Sequence, residues 1–386
     1  MTDEPVEPME KSPIVPVNNR ETAEPLAVKW GLEVEAVICE RCDWGYLLPK
    51  NSLPQRCPHC FMVNLTPLTA AVEELPYTQP PELFIPFSIS ASMLSGSIQS
   101  FAQGIPFTPP DLNAQALQSR LRRVYLPMWL VDAEVQALWQ SEAGFNYEVV
   151  SHQDQYRDFG GWSSQQVKEG RVRWEPRLGK MRRAYQNIAA SALEEDQKIK
   201  NALGMYEMAK AQPYQAEALS GSFVRLPNRP PQDAWSDARP ALQSAAAAEC
   251  RQAIGADHIR NFRWQPEFLN QNWTLLLTPL YATFYQDDEG QPQPVLVNGQ
   301  SGRISGARRA SMKRAQRASL ITLGVGILLF IISMVVLAVG LGLPPVLPVG
   351  IIGLVVSLIV GLGAIYPIAT AAWFNKKQVT PGSSRE

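Results

Sequence analysis

The sequence predicts an α+β protein in three parts: a small cysteine-bearing ribbon, a duplicated body of helices and antiparallel strands, and a C-terminal pair of apolar helices. Three observations carry this. From Ala318 to Phe374 the chain holds no Asp, Glu, Lys, Arg or His. Cys39, Cys42, Cys57 and Cys60 form two C-x2-C pairs separated by fourteen residues. Between these landmarks, stretches with an apolar residue at every second position alternate with stretches of helical period.

Composition bounds the remainder. The chain has 386 residues and a formal net charge of −1, which gives no global attraction to nucleic acid. Residues 1–35 are acid-rich and carry Pro5, Pro8, Pro13, Pro16 and Pro25. Such a segment buries too little apolar surface to offset its ordering entropy, so it is expected to be disordered. Four of the 5 cysteines cluster, which points to metal ligation in a reducing compartment rather than to disulfides.

The ribbon is assigned to residues 36–64. Ala36–Ile38 reads as a strand entering the first cysteine pair and Trp44–Leu48 as a strand leaving it, while Pro58 braces the second pair. Two such knuckles bring four thiolates to the corners of a tetrahedron, the geometry of a structural zinc ion. A patch this small has little core of its own, so Zn2+ would supply much of its folding energy. Four sulfur ligands leave no open coordination position, which makes the ion structural rather than catalytic. His59 reads as an exposed spacer, with replacement of a cysteine ligand as the alternative. Redox chemistry would want a single C-x2-C in a βαβ setting.

Residues 65–81 are rich in Pro and Thr and read as a linker. The body, 82–302, opens with a short strand at Leu83–Ser88 and a small-residue helix to Gly104. Thr108, Pro109 and Pro110 are expected to open the next helix, with Thr as cap and Pro at the first turn. Val131, Ala133, Val135, Ala137 and Trp139 alternate with polar residues and predict a strand covered on one face. Phe145, Tyr147 and Val149 continue in a neighbouring strand, and Val172, Trp174, Pro176 and Leu178 in another. Gly160-Gly161 reads as a loop. Ser191 and Glu194 suit a capping box for a helix ending near Gly204. Ala241–Ile254 is an Ala-rich helix closed by Gly255, Leu275–Tyr285 a strand, Asp287–Gly290 a turn and Pro294–Asn298 the returning strand. Pro127 and Pro279 each sit in an apolar strand that follows a helix, which is the basis for two copies over about 82–220 and 221–302. Proline in these strands predicts an edge or a bulge. The tryptophans in strand patterns, Trp129, Trp139, Trp174 and Trp273, read as packing residues.

Ala318–Gly340 and Val346–Thr370 are each long enough to cross a hydrocarbon layer of about 30 Å. Leu341–Pro345 suits a tight reversal. Arg303, Arg308, Arg309, Lys313, Arg314 and Arg317 precede the first run, and Lys376 and Lys377 follow the second. Basic flanks stay in the cytoplasm. The sequence therefore predicts a transmembrane hairpin over 318–374 in the inner (cytoplasmic) membrane, with the N- and C-termini and the 375–386 tail cytoplasmic. The basic segment 303–317 doubles as a lipid-headgroup contact, each residue worth about 1 kcal/mol near an anionic surface.

Several stretches together resemble a bacterial family of membrane-anchored zinc-ribbon proteins. They are the two cysteine pairs with Cys57-Pro-His-Cys60, Tyr125-Leu-Pro-Met-Trp129 with Asp132, Tyr214–Leu219 with Gly221 and Phe223, and Val297-Asn-Gly-Gln-Ser-Gly302 followed by basic residues and the apolar hairpin. The resemblance spans about residues 36–372. It departs from the family near 278–282, where Thr278-Pro279-Leu280-Tyr281 replaces Leu-Pro-Val-Trp. Members are labelled as TFIIB-type zinc ribbons or primosomal N′ helicase-like proteins, and some are encoded beside phage-shock protein A and flotillin-like (SPFH) proteins. The resemblance implies a role in membrane-stress or membrane-organising assemblies. The helicase label has no chemistry behind it, because no phosphate-cradling Gly-x4-Gly-Lys-Ser/Thr loop is present.

No Gly-x-Ser-x-Gly, His-Glu-x-x-His or Gly-x-Gly-x-x-Gly occurs either, His152 and His258 stand alone, and Cys250 reads as a buried thiol. The sequence therefore points to a non-enzymatic membrane adaptor or scaffold with no catalytic residues. The expected partners are the lipid bilayer and cytoplasmic or membrane proteins, of phage-shock or SPFH type. The alternative is a membrane-tethered nucleic-acid binder. The ribbon's Arg41, Lys50 and Arg56, interspersed with Glu40 and Asp43, form too sparse a basic patch to favour it.

Overall fold

One sheet runs through the body and takes in the ribbon. The computed structural model describes residues 30–379, apart from 51, 53, 69–76, 158–160 and 342–343. In chain order the strands and α-helices are β1 (Val34–Ile38), β2 (Gly45–Pro49), β3 (Thr66–Pro67), β4 (Leu83–Phe84), α1 (Ala91–Ala102), α2 (Ala114–Ser119), β5 (Arg122–Arg157), β6 (Gly161–Ser191), α3 (Asp196–Leu203), β7 (Gln212–Pro213), β8 (Ser222–Arg225), α4 (Pro231–Ile254), β9 (His258–Gln286), β10 (Pro292–Asn298), β11 (Ile304–Gly306), α5 (Met312–Gly340), α6 (Leu347–Gly363) and α7 (Ile365–Val379). The sheet order is β11-β10-β9-β5-β8-β2-β1-β3, and β6 pairs with β5 beyond β8.

The alternating stretch of β5 buries Val131, Ala133, Val135 and Ala137, and the first three meet Ala234, Ala238, Leu242 and Ala246 of α4. Alanines on both sides let the helix lie close to the sheet. Phe145, Tyr147 and Val149, expected in a separate strand, continue β5 without a break because β6 stays in register beside them. Pairing of β5 with β9 ends at Gly144↔His258. Beyond it Phe145–Arg157 and Gly161–Arg173 form a two-stranded ribbon reaching about 40 Å at about 3.3 Å per residue. Gly161 opens β6 rather than sitting in a loop, and Gly160 lies outside the described residues.

Helix, long strand and hairpin return occur twice in order, as α2, β5, β6 and as α4, β9, β10. Pro279, expected early in its strand, lies past the middle of β9 and pairs with Tyr125, while Pro127 pairs with Leu277. Neither proline is at a sheet edge or a bulge. Each sits where its strand changes neighbours on the other side. At Pro127, β8 (up to Tyr125) gives way to β6 (from Met128). At Pro279, β4 (up to Leu277) gives way to β10 (from Leu280). A missing N–H costs no ladder bond at such a handover.

Local signals misplaced three helix starts. Asn113, not Thr108, caps α2, its Oδ1 accepting the Ala116 N–H at 2.9 Å. Ser191 is the last residue of β6, and α3 starts at Asp196 with no side-chain cap. The Ala-rich helix begins at Pro231, a residue suited to a first turn, and ends at Gly255 with φ 61°. Composition put residues up to 35 in the acidic tail. Yet Trp30 is buried, its Nε1 donating to the Thr78 carbonyl at 2.8 Å, and Val34 and Glu35 already belong to β1. The expected linker likewise contains β3. Residues 1–29, the rest of the expected tail, lie outside the described residues.

The two helices long and apolar enough to cross a membrane span Met312–Gly340 and Leu347–Gln378, and only 11% and 17% of their most apolar stretches are buried. They pack through a seam of small residues at every seventh position. Ser319, Gly326, Ser333 and Gly340 line one helix, and Gly350, Ser357, Ala364 and Ala371 line the other. Small side chains let apolar helices approach closely where no hydrophobic force drives them together. Pro367 cannot donate to the Gly363 carbonyl, and the second helix is interrupted at Ala364, whose carbonyl accepts the Ser319 hydroxyl.

The base of this pair is locked into the body. Ala310, Ala315, Ala371 and Phe374 pack with Ile98, Phe101, Leu117 and Tyr285. Asn375 Oδ1 accepts from the Ala310 N–H at 2.7 Å and its Nδ2 donates to the Ala310 carbonyl at 3.1 Å. Asp288, in what the sequence showed only as a turn, caps α5. It accepts the Ser311 hydroxyl at 2.6 Å and the Lys313 N–H at 2.9 Å.

Gly350→Val should destabilise the helix pair by about 1–3 kcal/mol, since a Cβ there would sit 2.8 Å from the Leu337 backbone. Gly324→Ala, with open space around it, should not. Unfolding in mixed micelles reads both. At Asp288 burial alone would raise the carboxyl pKa, but the bonds from Ser311 and the Lys313 and Met312 N–H groups outweigh it and hold it below the usual range. A depressed folded pKa stabilises at neutral pH. The contribution starts to fade as pH falls past about 4 and is gone below the lowered folded value. Asp288→Asn should therefore cost about 1 kcal/mol at pH 7, and its difference from wild type should vanish on acidification in thermal melts.

Candidate metal centre

β1 and β2 form a hairpin in the register Val37↔Tyr46 and Ile38↔Gly45, which places Cys39 and Cys42 in its tight turn. The Cys39 N–H donates to the Trp44 carbonyl at 3.0 Å and the Asp43 N–H to the Cys39 carbonyl at 2.8 Å. The second pair repeats the pattern, with Cys57 N–H to Val63 carbonyl at 3.0 Å and Phe61 N–H to Cys57 carbonyl at 3.0 Å. The residue after each second cysteine, Asp43 or Phe61, takes a positive φ of 56° or 55°. Two like turns thus point their sulfurs at one another.

The four Sγ atoms lie within 4.8 Å of one another, with Cys39–Cys60 at 3.6 Å and Cys42–Cys57 at 3.7 Å. Bonds of about 2.3 Å from a tetrahedral centre place sulfurs about 3.8 Å apart, so the cluster has the dimensions of a metal tetrathiolate. The electrostatics of the site also suit a cation. Without one, the hydrogen bond from Cys42 pulls the Cys57 thiol down to about 5 while pushing Cys42 itself up, and burial raises Cys60. Four thiolates cannot coexist here unless an ion compensates them. The N–H groups of Trp44, His59, Cys60 and Met62 are aimed at sulfur and add to that compensation. All four predicted cysteines are brought together and can hold a metal ion in a closed site, with no position left for substrate.

The surroundings differ from expectation. His59 is half-buried, not an exposed spacer. Its ring stacks on Trp44 with centroids 3.7 Å apart, and burial lowers its pKa. The cysteines do not stand on a coreless patch. Cys39, Cys57, Trp44, Tyr46 and Phe61 share one apolar cluster with Val124, Leu126, Phe223, Leu280 and Phe284 of the body. β2 also pairs with β8 in the register Tyr46↔Arg225, so the ribbon continues the main sheet. A cavity of about 300 Å3 opens between the second knuckle and α3, lined in part by Trp44, Tyr46, His59, Val124, Glu195 and Lys198. Cys250 is buried, with its sulfur 3.5 Å from that of Met181.

The basic segment is partly turned to the body. Arg303 donates to the Asn201 carbonyl at 3.4 Å, Arg314 to Thr108 at 2.8 Å, Arg308 to Gln103 and Lys313 to Asp288. The side chains of Arg309 and Arg317 form no such bond among the described residues.

Compared with models of known families, with curated proteins and with solved structures, the chain finds no match.

Sequence reasoning missed Arg225, which lies over the Trp44 ring at 4.5 Å to the centroid although it is 165 positions from Cys60. No local pattern marks it. It also missed the seven-residue period of small residues in the apolar helices, which was there to be counted.

Cys57→Ser should abolish stoichiometric metal binding, whereas Cys250→Ser should leave one ion per chain. Elemental analysis of the purified protein checks both.

Proposed function

We propose that this chain is a non-enzymatic membrane adaptor. Its apolar helices cross the bilayer as a hairpin with both ends cytoplasmic, its cysteine cluster holds a structural zinc ion, and its long strands present a docking surface to other proteins. The observation that carries the reading is the bare outer face of the helix pair, joined rigidly to the sheet. Leu320, Ile327, Phe330, Val335, Ile352, Leu358 and Leu362 are all exposed. A face of that kind needs lipid around it. Zinc is the choice among metals because it suits a closed, four-sulfur tetrahedral site and brings no redox chemistry.

The geometry gives the adaptor a direction. β9 ends at Gln286, two residues before the carboxylate that caps α5. Its other end, His258, is 28 residues away, about 90 Å along the strand, and the two-stranded ribbon continues past it. On this reading the arm extends into the cytoplasm, away from the membrane. Exposed Tyr147 and Val150 on the arm, and exposed Leu178 beside it on β6, are contact points for a partner. Partners in membrane-stress or membrane-organising assemblies, as the family resemblance implies, are the class to examine first. Arg309 and Arg317 remain for lipid headgroups.

The test combines alkaline carbonate extraction with photo-crosslinking from position 178. The chain should stay in the membrane pellet, and the crosslinker should trap defined proteins. Shortening the arm by removing 145–173 should abolish trapping without releasing the chain from the membrane. Release by carbonate would overturn the anchor. Crosslinks to nucleic acid alone would overturn the adaptor in favour of a tethered nucleic-acid binder.

A further inference from the structure

A divalent ion held by four thiolates leaves a formal charge of −2 in a largely buried place. Charge of that size is not tolerated away from water unless it is paired. The N–H groups aimed at sulfur help but carry only partial charges.

Arg225, on β8, supplies a full positive charge from the body side. It is 4% exposed. A guanidinium does not deprotonate in a protein, so its charge must be met by something nearby. Among the described residues it forms no ion pair. Its Nη1 donates to the Gly45 carbonyl at 3.0 Å, and its Nε is buried without a partner. The guanidinium lies 4.5 Å from the Trp44 ring centroid and 6.0 Å from that of Tyr46, whose hydroxyl is 4.0 Å from the Cys57 sulfur. Cys42 and Cys57 are within its electrostatic reach. Glu195 is too, and since its carboxylate accepts, among the described residues, only from the neutral Asn228 amide at 3.4 Å, it meets part of the arginine's charge.

We infer that Arg225 is the counter-charge of the metal tetrathiolate, so that metal loading and the β2–β8 seam joining the ribbon to the body stabilise each other. This rests on the reading of the cysteine cluster as a loaded zinc site. Loaded, the arginine and the site neutralise one another across the Trp44 and Tyr46 rings. Stripped of metal, the site no longer offers that negative charge, and the buried cation in the strand that anchors the ribbon keeps Glu195 as its counter-ion. Loss of the ion is then felt in the body sheet as well as in the knuckles.

The inference separates from a packing role by the difference between the effects with and without metal. Full-length protein in detergent is titrated with zinc against a chromophoric chelator, and loaded and stripped forms are melted. Arg225→Met should weaken zinc binding about 10–100-fold, as expected for loss of an outer-sphere partner. The Arg225→Met melt should fall further below wild type in the loaded form than in the stripped form, because only the loaded site offers the charge that the arginine meets. Arg225→Gln, neutral but able to donate to Gly45, should behave like Arg225→Met and serves if that variant does not fold. Arg225→Lys should retain most of the affinity. Equal zinc affinity in wild type and the neutral variants, an equal drop in both melts, or a lysine variant as weak as the neutral ones would overturn the inference. Wild-type protein that takes up no zinc would instead end the metal reading on which it stands.

Discussion

The antiparallel ladder between β5 and β9 is the constraint from which the other parts take their places. β5 has neighbours on both sides over much of its length, β9 gains β4 and β10 on its other side toward its C-terminal end, and neither can slip by one residue without turning its apolar face to solvent. At one end of the ladder β9 leads through β10 and β11 into the apolar helices. On the flank of β5, β8 brings in the ribbon. At the far end β5 and β6 run on together as an arm. One rigid element thus fixes the cysteine cluster, the arm and the helix pair with respect to one another.

Where these parts meet, the joints are made of hydrogen-bonded polar groups as well as of apolar area. Asp288 and Asn375 satisfy backbone groups at the base of the helix pair. The buried Asn298 does the same inside the sheet. Its side chain accepts the N–H groups of Gln300 and Ser301 and donates to the Leu203 carbonyl at 3.3 Å. Gly299 and Gly302 follow because Phe87, Pro279 and Ile89 occupy the space where a Cβ would go. The sequence reading of Asn298 as the end of a returning strand had the right place but not its role in joining the turn that follows to the end of α3. Such groups lose free energy when left unpaired, so each joint is strongly favoured in one geometry.

Periodic and compositional signals survived folding well. The apolar runs became helices with bounds close to those expected. The alternation at Val131–Ala137 became a strand covered on one face, and the two cysteine pairs converged. These are properties of consecutive residues, set by helix rise, strand pleat and knuckle spacing. Capping signals fared worse. Thr108 and Ser191 are both competent caps, but a cap acts only where the chain turns into a helix, and that was decided by the packing of α2 and by the extension of β6 to Ser191.

The sequence by itself determined that four thiols would meet and that two apolar runs would form helices long enough to cross a membrane, because both follow from the chemistry of neighbouring residues. Only the tertiary structure decided that the ribbon is a continuation of the body's sheet, that Pro127 and Pro279 stand at strand handovers, and that a cation from β8 lies beside the cysteines. Those depend on pairings between residues far apart in the chain, such as Tyr46 with Arg225 and Tyr125 with Pro279. Their free energy comes from burial and hydrogen bonding that exist only after the distant strands have come together, so no local stretch of residues carries their signature.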